Sequence, residues 1–447
     1  MAMSDTIFAL ATAPGRAGIA MVRVSGEGAA AALRDLAGTL PPPRQALHAR
    51  FRDPQNGETL DDGIALYFAA PASFTGEDIA ELHLHGSRAV LAAVFAALGR
   101  RPGFRLAEPG EFTKRAFLNG KLDLTTAEAI ADLVEAETAA QRRQAMRQLG
   151  GEFGRRCEMW RAGLIAAQAR LEAEIDFPEE GLPAEQWSSA KRALAALRAE
   201  IATELADDRR GERLRVGVSV AILGPPNAGK SSLMNALARR EVAITSHLAG
   251  TTRDVIEVAL DLGGYPVVLA DTAGLRPGTD IVEEEGVRRA RARAASADLK
   301  LVVLDATRPE EAAAVRDLVD AQTLIVANKI DCARQPAETA WADALGAGPA
   351  LRCSATQGEG IAALIARLAA AVEAMLTSGA APLVTRARHR QALERCVAAL
   401  ERFAAASLPE LAAEDLRAAA RELGRITGRV DVEDMLDALF REFCIGK

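Results

Sequence analysis

The chain has 447 residues, enough for about three domains, and its 49% hydrophobic and 26% charged residues are ordinary values for a water-soluble globular protein. Its formal net charge of −7 argues against nucleic-acid binding through overall positive charge, so any RNA contact has to come from a local patch or a partner. The five cysteines form no C-x-x-C pair, no apolar run approaches a membrane span, and no secretory signal opens the chain. We therefore expect a cytoplasmic protein without disulfides, zinc or a membrane span.

Residues 1–121 are predicted to form a separate α+β domain. Apolar and β-branched runs predict strands at residues 7–11, 19–24, 63–69 and 78–85. A stretch rich in Ala and Leu predicts a helix at 87–98. Polar residues stand at or near the strand and loop ends, namely Arg23, Glu81, His83, His85 and Lys121. Composition alone favours ordinary exposed or hydrogen-bonded roles for each of them.

Residues 122–213 are predicted to be the first part of a helical domain. Thr125 and Glu128 have the spacing of a capping box, and apolar residues then recur at helical spacing. Residues 176–178 interrupt the helical pattern, which restarts near residue 183. Basic residues of this region could meet RNA phosphates, but the Glu and Gln between them favour a solvated helix face; they include Arg142, Arg143 and Arg147.

Residues 224–231, Gly-Pro-Pro-Asn-Ala-Gly-Lys-Ser, match the phosphate-binding loop G-x-x-x-x-G-K-S. An apolar strand is predicted before the loop, at 216–223, and a helix after it, at 232–237. Lys230 is the residue type that reaches the β- and γ-phosphates, and the Ser231 hydroxyl is a ligand for Mg²⁺. The residues predicted to contact nucleotide here are Asn227, Ala228, Gly229, Lys230, Ser231 and Ser232.

Three further motifs follow in the order of the GTPase fold. Asp271-Thr272-Ala273-Gly274 ends a predicted strand at 266–270, where the Asp suits Mg²⁺ and the Gly amide suits a γ-phosphate. Asn328-Lys329-Ile330-Asp331 ends a predicted strand at 323–327, and its final carboxylate can accept both donors of the guanine edge, so we expect GTP. Ser354-Ala355 suits the base-contacting loop. This region resembles the translation-factor-related small GTPases.

The position after Asp-x-x-Gly is Leu275, whereas GTPases of the Ras type carry a water-orienting Gln there. No arginine is obviously placed to neutralise the transition state either. Asn227 suggests another solution, because its side-chain oxygen, with carbonyls of residues 245–252, could hold K⁺ beside the phosphates. The predicted Ras-like P-loop GTPase domain, with a mostly parallel sheet, spans 214–378 and is inserted in the helical domain, which resumes at 379–447.

Several longer motifs extend a resemblance over the whole chain. They are Pro-Gly-Arg-Ala-Gly-Ile at 14–19, Ser-Phe-Thr-Gly-Glu-Asp at 73–78, Pro-Gly-Glu-Phe at 109–112, Arg-Ala-Phe-Leu-Asn-Gly-Lys-Leu-Asp-Leu at 115–124, Ala-Gly-Thr-Thr-Arg-Asp at 249–254 and the terminal Cys-Ile-Gly-Lys at 444–447. Together they resemble the family of tRNA uridine-modification GTPases called MnmE or TrmE.

The resemblance implies a homodimer that forms a heterotetramer with the FAD-dependent protein MnmG (GidA). Members of this family install an aminomethyl or carboxymethylaminomethyl group on carbon 5 of the wobble uridine of certain tRNAs. The N-terminal domain is similar to folate-binding domains and would dimerise and bind 5-formyl- or 5,10-methylene-tetrahydrofolate. The matching folate contacts are Arg23, Glu81, Lys121 and Lys447. Cys444 matches a family cysteine needed for modification, with its chemical role open.

In the GTPase domain the resemblance implies two cation sites. The residues matching the K⁺ site are Asn227, Ser246, Leu248 and Thr251, and those matching the Mg²⁺ site are Ser231 and Thr252. Glu283 matches the carboxylate that orients the attacking water, although Glu284 and Glu285 leave that register open. Arg253 and Arg276 match residues that couple hydrolysis to modification. In this mechanism the GTPase domains of a dimer pair when K⁺ and GTP order residues 245–252.

Two other functions compete with this interpretation. A GTP-controlled ribosome-assembly switch would need no covalent chemistry, but the terminal Cys-Ile-Gly-Lys and the folate-like domain argue against it. A free-standing folate enzyme would leave the GTPase motifs without a role. Tetrahydrofolate binding discriminates the first alternative, because an assembly switch needs no folate.

Overall fold

The computed structural model describes residues 5–176, 184–240, 242–244, 257–271, 292–333, 345, 349–430, 436, 439–440, 443 and 446, with only the backbone described at 184–187, 271 and 309. The chain divides into two compact units, each described by itself below. The first consists of Met1–Ala131, Gly154–Ala162 and Ala420–Lys447, and the second of Asp132–Phe153 and Gly163–Ala419. The predicted domain boundaries differ from this division and remain a prediction.

The first unit is built on a six-stranded sheet in the order β3-β4-β5-β2-β1-β6. Its strands are β1 Thr6–Leu10, β2 Ala17–Ser25, β3 Leu47–Arg52, β4 Thr59–Phe68, β5 Ile79–Gly86 and β6 Phe104–Leu106. Only the β1–β6 pair is parallel among these neighbours. The four strands predicted from sequence are confirmed as β1, β2, β4 and β5, and β3 and β6 were not predicted.

Two helices, α1 Ala29–Ala37 and α2 Arg88–Gly99, share one apolar core with the sheet. The predicted helix at 87–98 is confirmed as α2, which begins after Ser87 because the Ser87 side chain accepts a hydrogen bond from the amide of Val90. Side chains of a strand alternate between faces, so Val22 and Val24 enter this core while Arg23 faces the other side of the sheet.

A buried ion network fixes α3 Glu111–Leu118 to the sheet. Arg115 is 1% exposed, and its guanidinium donates to Asp5 Oδ1 at 2.7 Å, to Glu111 Oε1 at 3.0 Å and to both carboxylate oxygens of Glu77 at 3.2 Å. Arg105 donates to the two oxygens of Glu111 at 2.6 and 2.8 Å. Burial alone would raise the pKa of Glu111, but hydrogen bonds from Arg105, the amide of Glu108 and Arg115 outweigh it and hold the pKa below its ordinary value of 4.5.

The region predicted to be helical contains α4 Leu124–Glu135, α5 Ala139–Leu149, α6 Glu152–Asp176, α7 Ala184–Leu205 and α8 Arg210–Val216. The predicted capping box of Thr125 and Glu128 is wrong. Asp123 caps α4 instead, because its Oδ1 accepts from the amide of Thr126 at 2.7 Å and from the Thr125 hydroxyl at 2.8 Å. A capping box occurs one helix later, between Thr138 and Gln141 at the start of α5.

The sheet of the second unit has six strands in the order β12-β11-β10-β7-β9-β8. They are β7 Val218–Leu223, β8 Glu257–Leu262, β9 Tyr265–Asp271, β10 Leu299–Asp305, β11 Thr323–Asn328 and β12 Leu351–Arg352. All neighbours are parallel except β8 and β9, which confirms the mostly parallel sheet predicted for the GTPase region. The short helix α9 Lys230–Ala238 follows β7, a 3-10 helix Pro309–Leu318 follows β10, and α10 Ile361–Thr377 follows β12.

The apolar core under this sheet joins strand residues such as Ile222 and Val303 to Leu233 of α9 and Leu364 of α10. Strand β7 begins two residues later than predicted, because Val216 closes α8 and Gly217 turns the chain with a φ of 106°. Strands β8 and β10 were not predicted. Two long helices follow, α11 Ala387–Ala405 and α12 Pro409–Thr427, and they confirm that helical sequence resumes after the GTPase motifs.

The residues just before and just after the β7–α10 segment hydrogen-bond to the same carboxylate, that of Asp132 in α4. Asp132 Oδ1 accepts from Arg215 Nε at 2.8 Å, near the end of α8, and from Arg386 Nη2 at 2.6 Å, directly before α11. Three glutamines at helical spacing on α5 hydrogen-bond the same two passages of chain. The side-chain amide of Gln141 donates to the carbonyl of Arg215, and that of Gln144 donates to the carbonyl of Gly211. The side-chain amide of Gln148 donates to the hydroxyl of Thr385.

We expect Arg115→Met to lower the free energy of unfolding by about 3–5 kcal/mol, because it leaves buried carboxylates without their cation. Arg101→Met is the matched control, since Arg101 pairs with Asp35 at the surface and such pairs contribute less than about 1 kcal/mol. Urea unfolding of both variants measures the difference. Equal, small losses would contradict a structural role for the network.

The same network should make the wild-type protein sensitive to acid. Because the pKa of Glu111 is lowered in the folded state, its contribution is complete above the ordinary value of 4.5 and is lost as the pH falls through the folded pKa. We expect Glu111→Gln to be less stable at neutral pH and to show a shallower decline in acid. Urea unfolding between neutral pH and pH values below 4.5 tests this.

Candidate functional site

The phosphate loop occupies the turn between β7 and α9, as its motif predicts. Two of its glycines are required by the backbone. Gly224 has a φ of 141°, and a Cβ there would lie 2.1 Å from the carbonyl oxygen of Val303. Gly229 has a φ of 93°, and a Cβ there would lie 2.2 Å from Asn328 Nδ2. The loop therefore packs directly against its neighbours and opens onto the N-terminus of α9, whose amides and dipole favour an anion.

Lys230 projects into this loop. Its Nζ donates to the carbonyl oxygens of Gly224 at 2.9 Å and Pro225 at 2.7 Å. The side chains of Ser231 and Ser232 lie in the first turn of α9 and are exposed. The ammonium and the helix-terminal amides can donate to phosphate oxygens, and the hydroxyl oxygen of Ser231 can be a ligand of a hard cation.

Asn328, at the end of β11, joins the predicted base-binding loop to the phosphate loop. Its buried side chain donates from Nδ2 to the carbonyl of Ala228 at 2.9 Å and accepts at Oδ1 from the amide of Ala355 at 3.0 Å. Lys329 adds a second link, because its Nζ donates to the carbonyl of Asn227 at 2.7 Å. Asn328 and Lys329 thus hydrogen-bond directly to predicted site residues about a hundred positions earlier in the chain.

Asp331 completes this loop with an exposed carboxylate. A hydrogen bond from the Ser354 side chain is the main cause that lowers the pKa of Asp331, so the carboxylate is ionised at neutral pH. An ionised carboxylate is an acceptor only, which suits the two neighbouring donors of guanine and not the amino group and ring nitrogen of adenine. The structure therefore brings together the base-contact residues predicted from sequence, namely Asn328, Lys329, Asp331, Ser354 and Ala355.

Asp305 belongs to this arrangement and was missed by the sequence analysis. It ends β10, is buried, and its Oδ2 lies 2.6 Å from Lys329 Nζ. Burial opposes ionisation of Asp305, but hydrogen bonds from Lys329 and Thr307 outweigh it and lower the pKa of the carboxyl. The signal that could have found it is an Asp at the end of the buried apolar run of β10. One neighbouring strand, β11, ends in the predicted site residue Asn328, and the other, β7, leads into the phosphate loop.

Two of the predicted folate residues, Arg23 and Glu81, lie on the sheet face opposite the α1–α2 core. Arg23 and Glu81 are register partners on β2 and β5, and Arg23 donates from Nε and Nη2 to Glu81 Oε1 at 3.0 and 2.9 Å. The guanidinium lies 5.8 Å from the ring centres of both Phe74 and Phe112. His83 Nε2 is buried, has no hydrogen-bond partner among the described residues, and lies 3.6 Å from Glu81 Oε2.

Lys121 belongs to the same unit, and its Nζ donates to the carbonyl of Pro71 at 2.9 Å, in the loop that precedes Phe74. Several predicted site residues lie outside the described part of the chain: Ser246, Leu248, Thr251, Thr252, Arg253, Thr272, Ala273, Gly274, Arg276, Glu283, Cys444 and Lys447. Asp271 is described by its backbone alone, as the last residue of β9. Within the described ranges, no three His, Cys, Asp or Glu side chains are grouped so as to hold a metal ion.

Among the helices of the described residues, none is both long enough and apolar enough to cross a membrane.

Comparisons with known proteins cover the whole chain. Residues 6–121 match the family model described as GTP-binding protein TrmE N-terminus, and residues 124–444 match the model described as MnmE helical domain. Similar curated proteins include the tRNA modification GTPase MnmE of Paramagnetospirillum magneticum, 58% identical over 100% of both chains. The proteins of that name from Rhodospirillum rubrum and Parvibaculum lavamentivorans are 56% and 55% identical, over 99% of this chain and 99% and 100% of theirs.

We expect Gly229→Ala to weaken binding of a fluorescent guanine nucleotide by about tenfold or more, since its Cβ displaces Asn328 and a left-handed alanine costs about 1–2 kcal/mol. Gly263→Ala is the matched control: Gly263 also has a positive φ, 65°, but a Cβ there meets no described atom within 4 Å. Fluorescence titration compares the two variants. Equal affinities would show that the contact between the two loops is unimportant for binding.

Proposed function

The chain belongs to the MnmE family of tRNA modification GTPases, and we propose that it couples GTP hydrolysis to modification of carbon 5 of the wobble uridine in tRNA. It is a GTP hydrolase that acts in tRNA modification. In our proposal it works as a cytoplasmic homodimer that forms a heterotetramer with the FAD-dependent protein MnmG. Together they install an aminomethyl or carboxymethylaminomethyl group, with tetrahydrofolate as the source of the one-carbon unit.

One structural observation carries the nucleotide part of this proposal. Asn328 and Lys329 hydrogen-bond the backbone of the phosphate loop, while Asp331 presents an ionised carboxylate beside them. Guanine recognition and phosphate binding therefore belong to one connected structure, which is what a GTP-specific hydrolase requires. We propose the boundaries 1–121, 122–213, 214–378 and 379–447 for the folate, first helical, GTPase and second helical segments.

We propose that Ser231 and Thr252 bind Mg²⁺, with Asp271, Thr272, Ala273 and Gly274 facing the γ-phosphate. The proposed K⁺ ligands are Asn227, Ser246, Leu248 and Thr251. The chemistry of Asn227 supports its place in this set, because its backbone carbonyl is taken by Lys329 while its side chain is exposed beside the loop. Neutral carbonyl oxygens suit K⁺, which would add positive charge where phosphoryl transfer needs it.

Leu275 lacks any group that could orient water, and we assign that role to Glu283, with Glu284 and Glu285 as the neighbouring alternatives. In the proposed cycle the GTPase domains of the dimer pair when residues 245–252 become ordered, and hydrolysis separates them. Arg253 and Arg276 are proposed to transmit this change to the modification chemistry.

We propose that Arg23, Glu81, Lys121 and Lys447 hold tetrahydrofolate, which supplies a one-carbon unit. The residues present fit this ligand. The guanidinium of Arg23 lies near two aromatic rings, and the buried Nε2 of His83, which has no hydrogen-bond partner among the described residues, is a polar atom that a bound ligand could satisfy. A carboxylate such as Glu81 accepts from the donor edge of a pterin, and arginine or lysine matches an anionic tail. Cys444 is proposed to take part in modification.

The first test is GTP turnover by the purified protein in matched KCl and NaCl buffers. We expect K⁺ to raise turnover by about tenfold or more, because loss of one transition-state charge partner typically costs at least that much. Equal, slow rates in both salts would rule out the cation site and would point to an activating protein in trans.

The second test is equilibrium binding of 5-formyl-tetrahydrofolate. We expect the wild-type protein to bind it, and Glu81→Gln to weaken binding by about tenfold through loss of a charge-assisted hydrogen bond. Asp53→Asn serves as the control, because Asp53 forms a similar ion pair with Arg100 elsewhere in the same unit. Absence of binding by the wild-type protein would favour a GTP-controlled ribosome-assembly switch.

A further inference from the structure

Asp305 is held in one orientation at the end of β10. Its Oδ1 accepts from the amide of Thr307 at 2.9 Å and from the Thr307 hydroxyl at 2.6 Å, which leaves Oδ2 facing Lys329 Nζ at 2.6 Å. The side chain of Asp305 is 5% exposed. Asp305 and Asn328 are register partners on the parallel strands β10 and β11, so the carboxylate lies beside the start of the base-binding loop.

Lys329 connects this carboxylate to the phosphate loop. The same ammonium that pairs with Asp305 donates to the backbone carbonyl of Asn227 at 2.7 Å. Asn227 itself has a φ of 62°, in the left-handed region that asparagine adopts more readily than other non-glycine residues. The bond from Lys329 holds the peptide next to Asn227, and so restrains the backbone from which the Asn227 side chain projects.

We propose that Asp305 is a positioning residue for the cation site of the phosphate loop: by holding Lys329 it fixes Asn227 in the conformation that directs its side-chain oxygen at K⁺. This inference rests on the proposed function, because it assumes that Asn227 binds K⁺. It extends that proposal to a residue outside the sequence motifs and joins the guanine-binding loop to cation binding.

Charge gives a second reason for the assignment. Lys329 brings a positive charge to the backbone of Asn227, and a second cation bound by the same residue would be repelled by it. Asp305 neutralises that charge at 2.6 Å. Removing the carboxylate would both loosen Lys329 and leave an unpaired positive charge near the cation site, so both effects weaken K⁺ binding.

The same sheet contains a control with the same pattern of hydrogen bonds at a more exposed carboxylate. Asp320 also accepts a threonine hydroxyl and a backbone amide at Oδ1, from Thr323 at 2.9 Å and residue 322 at 3.0 Å, and its Oδ2 lies 2.6 Å from Lys300 Nζ. Lys300 and Thr323 are register partners near the start of β10 and β11, whereas Asp305 and Asn328 are partners at the other end. The control pair is therefore remote from the nucleotide loops.

The experiment compares Asp305→Asn with Asp320→Asn. GTP turnover is titrated with K⁺ at constant ionic strength, and the affinity for a fluorescent GDP is measured without hydrolysis in K⁺ and in Na⁺. We expect Asp305→Asn to raise the K⁺ concentration for half-maximal turnover by about tenfold, as expected for loss of a charged hydrogen bond. The affinity for GDP in K⁺ should fall as well. Asp320→Asn should behave as wild type in both measurements.

The outcomes separate this inference from the proposal beneath it. If the wild-type protein depends on K⁺ and Asp305→Asn needs the same K⁺ concentration, the inference about Asp305 is overturned and the proposed cation site is not. A wild type that turns over equally in K⁺ and Na⁺ would overturn the cation site and this inference together. Thr307→Val covers the case in which Asp305→Asn does not fold, because it removes only the exposed hydroxyl that orients Asp305. It should raise the K⁺ requirement in the same direction by a smaller factor, and no change would overturn the inference.

Discussion

Two hydrogen bonds from β11 to the phosphate loop determine the geometry of the nucleotide site. Asn328 and Lys329 donate to the carbonyls of Ala228 and Asn227, which neighbour the glycine that allows the loop to turn. Backbone carbonyls of a tight loop need partners when buried, and here the partners come from the residues that recognise the base. Base recognition and phosphate binding are consequently not independent features placed on a common sheet. A change in either loop alters the hydrogen bonds of the other.

Ion pairs also join segments that are distant in sequence at other positions in both units. Arg115 joins three carboxylates under β1, and Asp132 receives two arginines at the base of the β7–α10 segment. In each case one charged side chain fixes segments that are distant in sequence, where an apolar contact would allow sliding. Such networks contribute more to a defined arrangement than to total stability, because desolvation offsets much of the attraction between the charges.

The sequence was most informative at positions where only one residue type can adopt the required backbone conformation. Gly224 and Gly229 have positive φ values and lie against neighbouring atoms, so the loop motif by itself predicts the strand that precedes it and the helix that follows it. The capping box at Thr125 failed because the carboxylate of Asp123, two residues earlier, starts the helix. Asp305 was missed because its role depends on Lys329, a partner 24 residues away that only the parallel pairing of β10 and β11 brings near. The short strand β6 lacks enough residues for a periodic signal.

The hydrogen bonds from Arg215 and Arg386 to one oxygen of Asp132 limit the distance between the two ends of the β7–α10 segment. Two arginines that reach the same atom have Cα atoms within about 17 Å, a gap that about five residues of extended chain can close. The segment between them could thus be excised, and its two cut ends rejoined by a short linker, without stretching the helices on either side.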